Sequence, residues 1–299
     1  MSEDKAPPHR FAFAAMLFGN CVLALGPWLV RLADVGPVAI GVWRLVIALP
    51  FLWLLARSMG PSPHWPKRAL IITILIAAMF YALDLAAWNA GILRTKLVNA
   101  TLFGNTGSLV FAVYGLILAK GAPSARQMGA LLLAFSGGAL LMSGSYELSA
   151  RHFAGDLLAL FAGLTYGGYL IFIERARTKL QALPLLLLAT LFAIPPMILI
   201  SVILGENMWP TNWTPLIIFA LSSQVLGQGL LVYSIGHFPP LVVGLALLTQ
   251  PAVAALVGWL AYNERLSTGD VVGAIAIAAA LILVRLPEQG LRRKKVEAS

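Results

Sequence analysis

The sequence predicts an all-α membrane protein of ten transmembrane helices, arranged as two inverted five-helix repeats with both termini cytoplasmic. Three observations lead there. The 299 residues are 60% hydrophobic and only 11% charged, with a mean hydropathy of +0.86, whereas soluble domains carry about 25% charged residues. The apolar residues fall into ten runs of roughly bilayer length, and the basic residues gather between alternate pairs of those runs. A net charge of +9 therefore reads as a membrane-orientation signal, with no single basic stripe of the kind that binds nucleic acid.

About 20 apolar residues cross the hydrocarbon layer, and charged or Pro/Gly-rich breaks divide the chain accordingly. Span 1 covers 11–30. It follows MSEDKAPPHR, whose Glu3 and Asp4 do not suit a cleavable signal, so the run is expected to be retained. Spans 2 to 5 are expected at 36–56, 69–92, 97–119 and 127–143, and spans 6 to 10 at 153–173, 182–204, 214–235, 240–262 and 270–286. With a cytoplasmic N-terminus, fifteen basic residues face inward and five (Arg31, Arg94, Lys96, Arg151 and Arg265) face outward. The remaining one, Arg44, lies within span 2. This threefold bias obeys the positive-inside rule.

A shift of 144 residues lays LVNATLFGNTGSLVFAVYGLILAKGAPSARQMGALLLA, from Leu97, on LVVGLALLTQPAVAALVGWLAYNERLSTGDVVGAIAIA, from Leu241, without a gap. The halves are thus 1–145 and 146–299, the second ending in a basic cytoplasmic tail. Five spans are an odd number, so the second copy must enter the membrane from the opposite side. Inverted duplication of this kind occurs in secondary transporters, which bind substrate near the midplane between the halves.

GDLLALFAGLTYGGYLIFIERA, from Gly155, and TQPAVAALVGWLAYNERLSTGDVVGAIAI, from Thr249, resemble the EamA-type half of the drug/metabolite transporter superfamily, and LVNATLFGNTGSLVF in the first half is similar. The chain looks most like bacterial aromatic amino acid exporters. Gly107 stands where the second half has Pro251, and Lys120 where it has Glu264, departures that touch local contacts. The resemblance implies a multi-pass protein of the bacterial inner membrane. It also implies export of aromatic and other neutral amino acids by alternating access at a central cavity.

Mid-membrane charge is costly, so an ionisable group there faces protein or a water-filled cavity. Only Arg44 and Asp84 are deep. At about 1.5 Å of rise per residue, both lie roughly 12 Å below the outer surface, on consecutive antiparallel spans. Three roles are open. The two can neutralise each other and fix spans 2 and 3. Alternatively, Tyr81, Asp84 and Trp88 project from one helix face, and a carboxylate between aromatic rings can hold an ammonium group. Asp84 can also carry a proton.

Other polar residues are candidates for the same cavity: Asn20 in span 1, Asn99 and Asn105 with Thr101, Thr106 and Ser108 in span 4, Tyr166 and Tyr169 in span 6, Gln224 and Gln228 in span 8, and Thr249 and Gln250 in span 9. Each alone also reads as interhelical glue. They concentrate in spans 1, 3, 4, 6, 8 and 9, three pairs of repeat partners, which implies a polar cavity on the pseudo-two-fold axis. Pro27 and Pro251 are candidate hinges or kinks. Trp28, Trp209 and Trp213 read as interfacial anchors, and LRRKK (291–295) as an anionic-lipid contact. One cysteine, Cys21, and the lack of HExxH or GxSxG patterns leave a membrane enzyme without catalytic candidates. No metal and no cofactor are expected. A multidrug or cationic-metabolite exporter and a non-transporting receptor or scaffold are the competing readings.

Overall fold

A computed structural model describes residues 9–58, 66–95, 97–119, 123–143, 152–253, 256 and 268–285, and the regular structure among them is helical. The termini, the LRRKK segment, Lys120 and Glu264 lie outside the described residues. Seven helical stretches are long and apolar enough to cross a membrane: Phe11–Leu32, Pro37–Ser58, Arg68–Ile92, Asn99–Leu118, Phe153–Arg177, Ala182–Ile203 and Thr214–Ile235. Pro240–Val253 and Val271–Val284 are shorter apolar helices, and Ala125–Ser143 forms a helix at the position of span 5. Large apolar side chains such as Ile117, Val202, Ile203 and Ile282 are exposed around the bundle, as contact with lipid requires. The chain is a multi-pass membrane protein.

Several helices start where the sequence supplies a starting residue. The first span is two helices, α1 (His9–Ala24) and α2 (Gly26–Leu32). Pro27 sits in the first turn of α2, where its missing N–H costs no helical bond. After α3 (Pro37–Ser58) and α4 (Arg68–Ile92), the fourth span also divides, into α5 (Leu97–Gly104) and α6 (Thr106–Leu118). Asn105 stands at that break, and its side-chain amide donates to the Thr101 carbonyl at 2.9 Å. Ser124 and Gln127 cap α7 (Ala125–Ser143) reciprocally, each side chain accepting from the other's backbone N–H at 3.2 and 3.0 Å. α8 (Phe153–Arg177) carries Asp156 in its first turn, where the helix dipole favours a negative charge. α9 (Ala182–Ile203) ends at Gly205, whose φ of +64° is open to glycine and strained for other residues. The eighth span runs from α10 (Thr214–Phe219) through a π-helical stretch, Ala220–Gly227, into α11 (Gln228–Ile235). α12 (Pro240–Leu247) and α13 (Thr268–Arg285) follow, with further helical residues at 250–253.

The main packings join helices of the N-terminal half of the chain to helices of the C-terminal half. α4 lies along α8, α3 along α9, α6 against α12 and α8, α7 along α13, and α1 along α11. Several of these crossings bring backbone against backbone at glycine. A Cβ built on Gly244 would stand 2.6 Å from the Ser108 carbonyl oxygen, and one on Gly155 2.7 Å from the Arg94 carbonyl carbon. Those crossings bring α6 onto α12 and α8 onto the end of α4.

A charged cavity between the helices

A cavity of about 460 Å³ opens between α2, α3, α4, the α5–α6 break, α8 and the π-helical stretch. Trp28 and Arg31 of α2 stand at the end of the bundle where Arg31 also donates to the Ile92 carbonyl at 3.4 Å. Deeper, the walls carry Arg44, Asp84, Trp88, Asn105, Ser108, Tyr166, Ser223, Gln228 and Gln250.

Arg44 and Asp84 both line this cavity, yet among the described residues no ion pair or hydrogen bond joins them. The guanidinium is held from another direction. Its Nε donates to Gln224 Oε1 at 3.1 Å and its Nη2 to the Tyr81 hydroxyl at 3.1 Å. Tyr81 in turn donates to the same Gln224 oxygen at 2.5 Å, and the Gln224 amide donates to Thr190 Oγ1 at 2.9 Å. The flat guanidinium lies over the Phe219 ring, 4.7 Å from its centroid, a contact that stabilises a cation. Gln224 and Thr190 are completely buried and Arg44 is 4% exposed, so these bonds operate where water competes little. Two of the five guanidinium donors are used by these bonds, which leaves the others for a ligand.

Asp84 is buried, 8% exposed, and its accessible surface belongs to the cavity. Its carboxylate makes no hydrogen bond among the described residues. The ion pair with Arg44 is therefore not formed as a contact, and the guanidinium is hydrogen-bonded to Gln224 and Tyr81 instead. Trp88 lies one turn along the same face of α4, with Tyr166 on the facing α8.

The remaining sequence-derived candidates divide. Asn105, Gln228 and Pro27 line the cavity with Asp84, Trp88, Tyr166 and Arg44. Tyr81 and Tyr169 lie beneath it, fully buried and stacked with centroids 4.4 Å apart, and Tyr166 stacks on Tyr169 at 5.8 Å. Gln224 acts through Arg44. Asn20 and Asn99 sit elsewhere. Asn20 donates to the Ala246 carbonyl at 2.8 Å and ties α1 to α12. Asn99 donates to Asp156 Oδ1 at 3.1 Å beside Thr95, which donates to the same oxygen at 2.6 Å. Pro251 is buried away from the cavity lining.

Sequence reasoning missed Thr190, Phe219 and the position of Trp28. Thr190 is one hydroxyl in LLLLATLFA, and Phe219 is one aromatic in an apolar run, so neither carries a signal before the helices are packed. Trp28, read as an interfacial anchor, is half exposed at the cavity mouth. Among the described residues, no group of three or more His, Cys, Asp or Glu side chains could hold a metal ion.

The sequence model of the EamA-like transporter family matches residues 153–286. Over those residues, somewhat less than half of the chain, the sequence is similar to a family of membrane transporters. No curated protein matches the chain. A solved crystal structure superposes on it with a TM-score of 0.72 at 15% identity, covering 94% of this chain and 98% of the other. At that identity the likeness concerns the fold alone.

Proposed function

We propose that the chain is an inner-membrane exporter of amino acids, aromatic and other neutral ones, working by alternating access at the cavity between its halves. One observation carries the substrate class: a single cavity presents an acid, Asp84, and a fixed guanidinium, Arg44, that do not neutralise each other by contact. A zwitterion answers both. Its ammonium group pairs with Asp84 between the Trp88 and Tyr166 rings, by charge and cation–π attraction. Its carboxylate takes the guanidinium donors that Gln224 and Tyr81 leave free. The remaining aromatic and aliphatic wall accommodates the side chain, in a volume within the ordinary range for small-molecule sites. Arg44 on the same wall disfavours an organic monocation, which is the multidrug alternative.

Ten spans in inverted halves with cytoplasmic termini complete the reading. The helix pairs support it. A two-fold axis between the halves would relate spans 2 and 7, 4 and 9, and 5 and 10, and α3 with α9, α6 with α12 and α7 with α13 pack on one another. The same axis makes α4 on α8 the counterpart of α1 on α11. In this orientation the cavity mouth at Trp28 and Arg31 faces outward. Toward the cytoplasm, Phe80 of α4 stacks on Phe172 of α8 at 5.8 Å and closes the bundle. Arg175 covers Phe172 and Tyr114 there, and the Tyr114 hydroxyl donates to Glu174 at 3.3 Å. The state is outward-open, and rocking of one half against the other would part this seal and close the mouth.

The test is uptake of a labelled aromatic amino acid into liposomes carrying the purified protein. Saturable uptake blocked by free amino acids is expected. Preferential uptake of an organic monocation would transfer the protein to the multidrug class, and absence of any solute flux through a monodisperse protein would favour a receptor or scaffold.

A further inference from the structure

We propose, on the basis of that reading, that Gly104 sets the largest solute side chain the site accepts, by letting the Trp88 indole lie back against the end of α5. Both residues line the cavity. A Cβ built on Gly104 would meet the six-membered ring of Trp88 at three carbons, Cζ3, Cη2 at 2.9 Å and Cε3 at 3.1 Å. No methyl group fits against a ring at those distances, so any larger residue at 104 must move the indole. Trp88 also packs against the buried apolar cluster that includes Leu29, Ile40, Ile92 and Ala100, and a close-packed interior does not yield the volume of a ring. The empty side is the cavity. A side chain at 104 therefore drives the indole into the space between Asp84 and Tyr166, where the side chain of a bound amino acid would lie.

The position of Gly104 in the chain fits this role. It is the last residue of α5, immediately before the break at Asn105, so its lack of a side chain weakens no helix interior. Its carbonyl oxygen also lies 2.8 Å from a Cβ built on Gly163 of α8. The backbone at 104 is thus fixed between α8 and Trp88, and the indole is the part left to move.

The size limit can be read without transport. With Cys21 replaced by alanine, Ser108→Cys places one thiol on the cavity wall, one turn beyond Gly104. The thiolate attacks the sulfenyl sulfur of a methanethiosulfonate, forming a disulfide and releasing the sulfinate. Methyl and benzyl reagents then report the passage of small and large groups. Adding Gly104→Ala should slow benzyl relative to methyl labelling by about tenfold, the discrimination a ring-sized change in an apolar pocket supplies. Adding Trp88→Leu as well should abolish that difference, since the ring no longer collides. An unchanged benzyl-to-methyl ratio in Gly104→Ala, or a deficit that Trp88→Leu leaves in place, would overturn the proposal. If Gly104→Ala fails to assemble alone, the Trp88→Leu pair must restore assembly, and failure to do so also overturns it. In liposomes the phenylalanine-to-alanine uptake ratio should fall in Gly104→Ala. Shifted labelling in a protein that takes up no amino acid would defeat the function proposed above and leave the role of Gly104 standing.

Discussion

Asp84 and Gln224 are both buried, and their hydrogen bonding separates their roles. Asp84 has no hydrogen-bonded protein partner among the described residues, so Asp84→Asn breaks no protein hydrogen bond. Its thermal unfolding should stay within about 1 kcal/mol of the parent, while amino acid uptake falls at least about tenfold, the loss of one charge-assisted hydrogen bond. Collapse of the fold with rescue by a second change at Arg44 would instead return Asp84 to a structural role. Gln224→Leu is the opposite case. It leaves Arg44 Nε, the Tyr81 hydroxyl and Thr190 Oγ1 without the acceptor or donor they now share. The expected cost is about 2–3 kcal/mol in denaturant unfolding, and a cost near zero would show that water replaces the amide. At this scale the sequence indicated that Arg44 and Asp84 are the two deep charges, because helical rise fixes depth. It left open which way each points, because azimuth depends on packing between spans that the sequence does not encode locally.

The helix ends at the cavity mouth are tied by a hairpin-to-hairpin clasp. Between α9 and α10, residues 205–213 lie against the α2–α3 connection. Asp34 accepts from the Thr211 hydroxyl, from the Thr211 N–H at 2.9 Å and from the Asn212 N–H at 3.1 Å. Glu206 accepts from the Val38 and Ala39 N–H groups at 3.2 and 2.9 Å, at the N-terminus of α3. Trp43 donates to the Met208 carbonyl and packs on Trp209 and Trp213, with centroids 5.5 and 4.8 Å apart. The hydrogen bond from the Thr211 side chain, with those from the backbone, holds the Asp34 carboxyl below its usual range. A lowered carboxylate pKa means that the clasp is complete above about pH 4, the unfolded value, and is lost as pH falls through the lower folded value. Amide exchange at Thr211 and Asn212 should stay slow through mildly acidic pH and quicken only below it, and Asp34→Asn should quicken it at neutral pH. Identical exchange in both proteins would remove Asp34 from the clasp. From the sequence the two tryptophans were expected at a membrane boundary. Their pairing with Trp43 was not legible, because the contact joins positions more than 160 residues apart. Pro27 likewise announced the α1–α2 break, whereas the π-helical stretch at Ala220–Gly227 has no residue type that marks it.

Over the whole molecule, apolar length gave the membrane class and the positions of most helices. The break at Asn105 falls in FGNTGS, a turn-like stretch that a reading by span length bridges. If the two halves rock about the cavity, Phe80 and Phe172 must part for the cytoplasmic side to open. With Cys21 removed, Phe80→Cys and Phe172→Cys bridged by a short dithiol-reactive linker should reduce uptake to background while amino acid binding persists. Full uptake in the bridged protein would place the moving surfaces elsewhere. The most direct measurement of the central claim is a binding titration of the purified protein with a free aromatic amino acid, its methyl ester and its N-acetyl derivative. If Asp84 and Arg44 hold the two ends of a zwitterion, the free amino acid should bind at least about tenfold more tightly than either blocked form, each of which forfeits one charge-assisted contact. An ester that binds as tightly as the free amino acid would contradict the claim, leaving Arg44 as a support for Gln224 and Tyr81 alone.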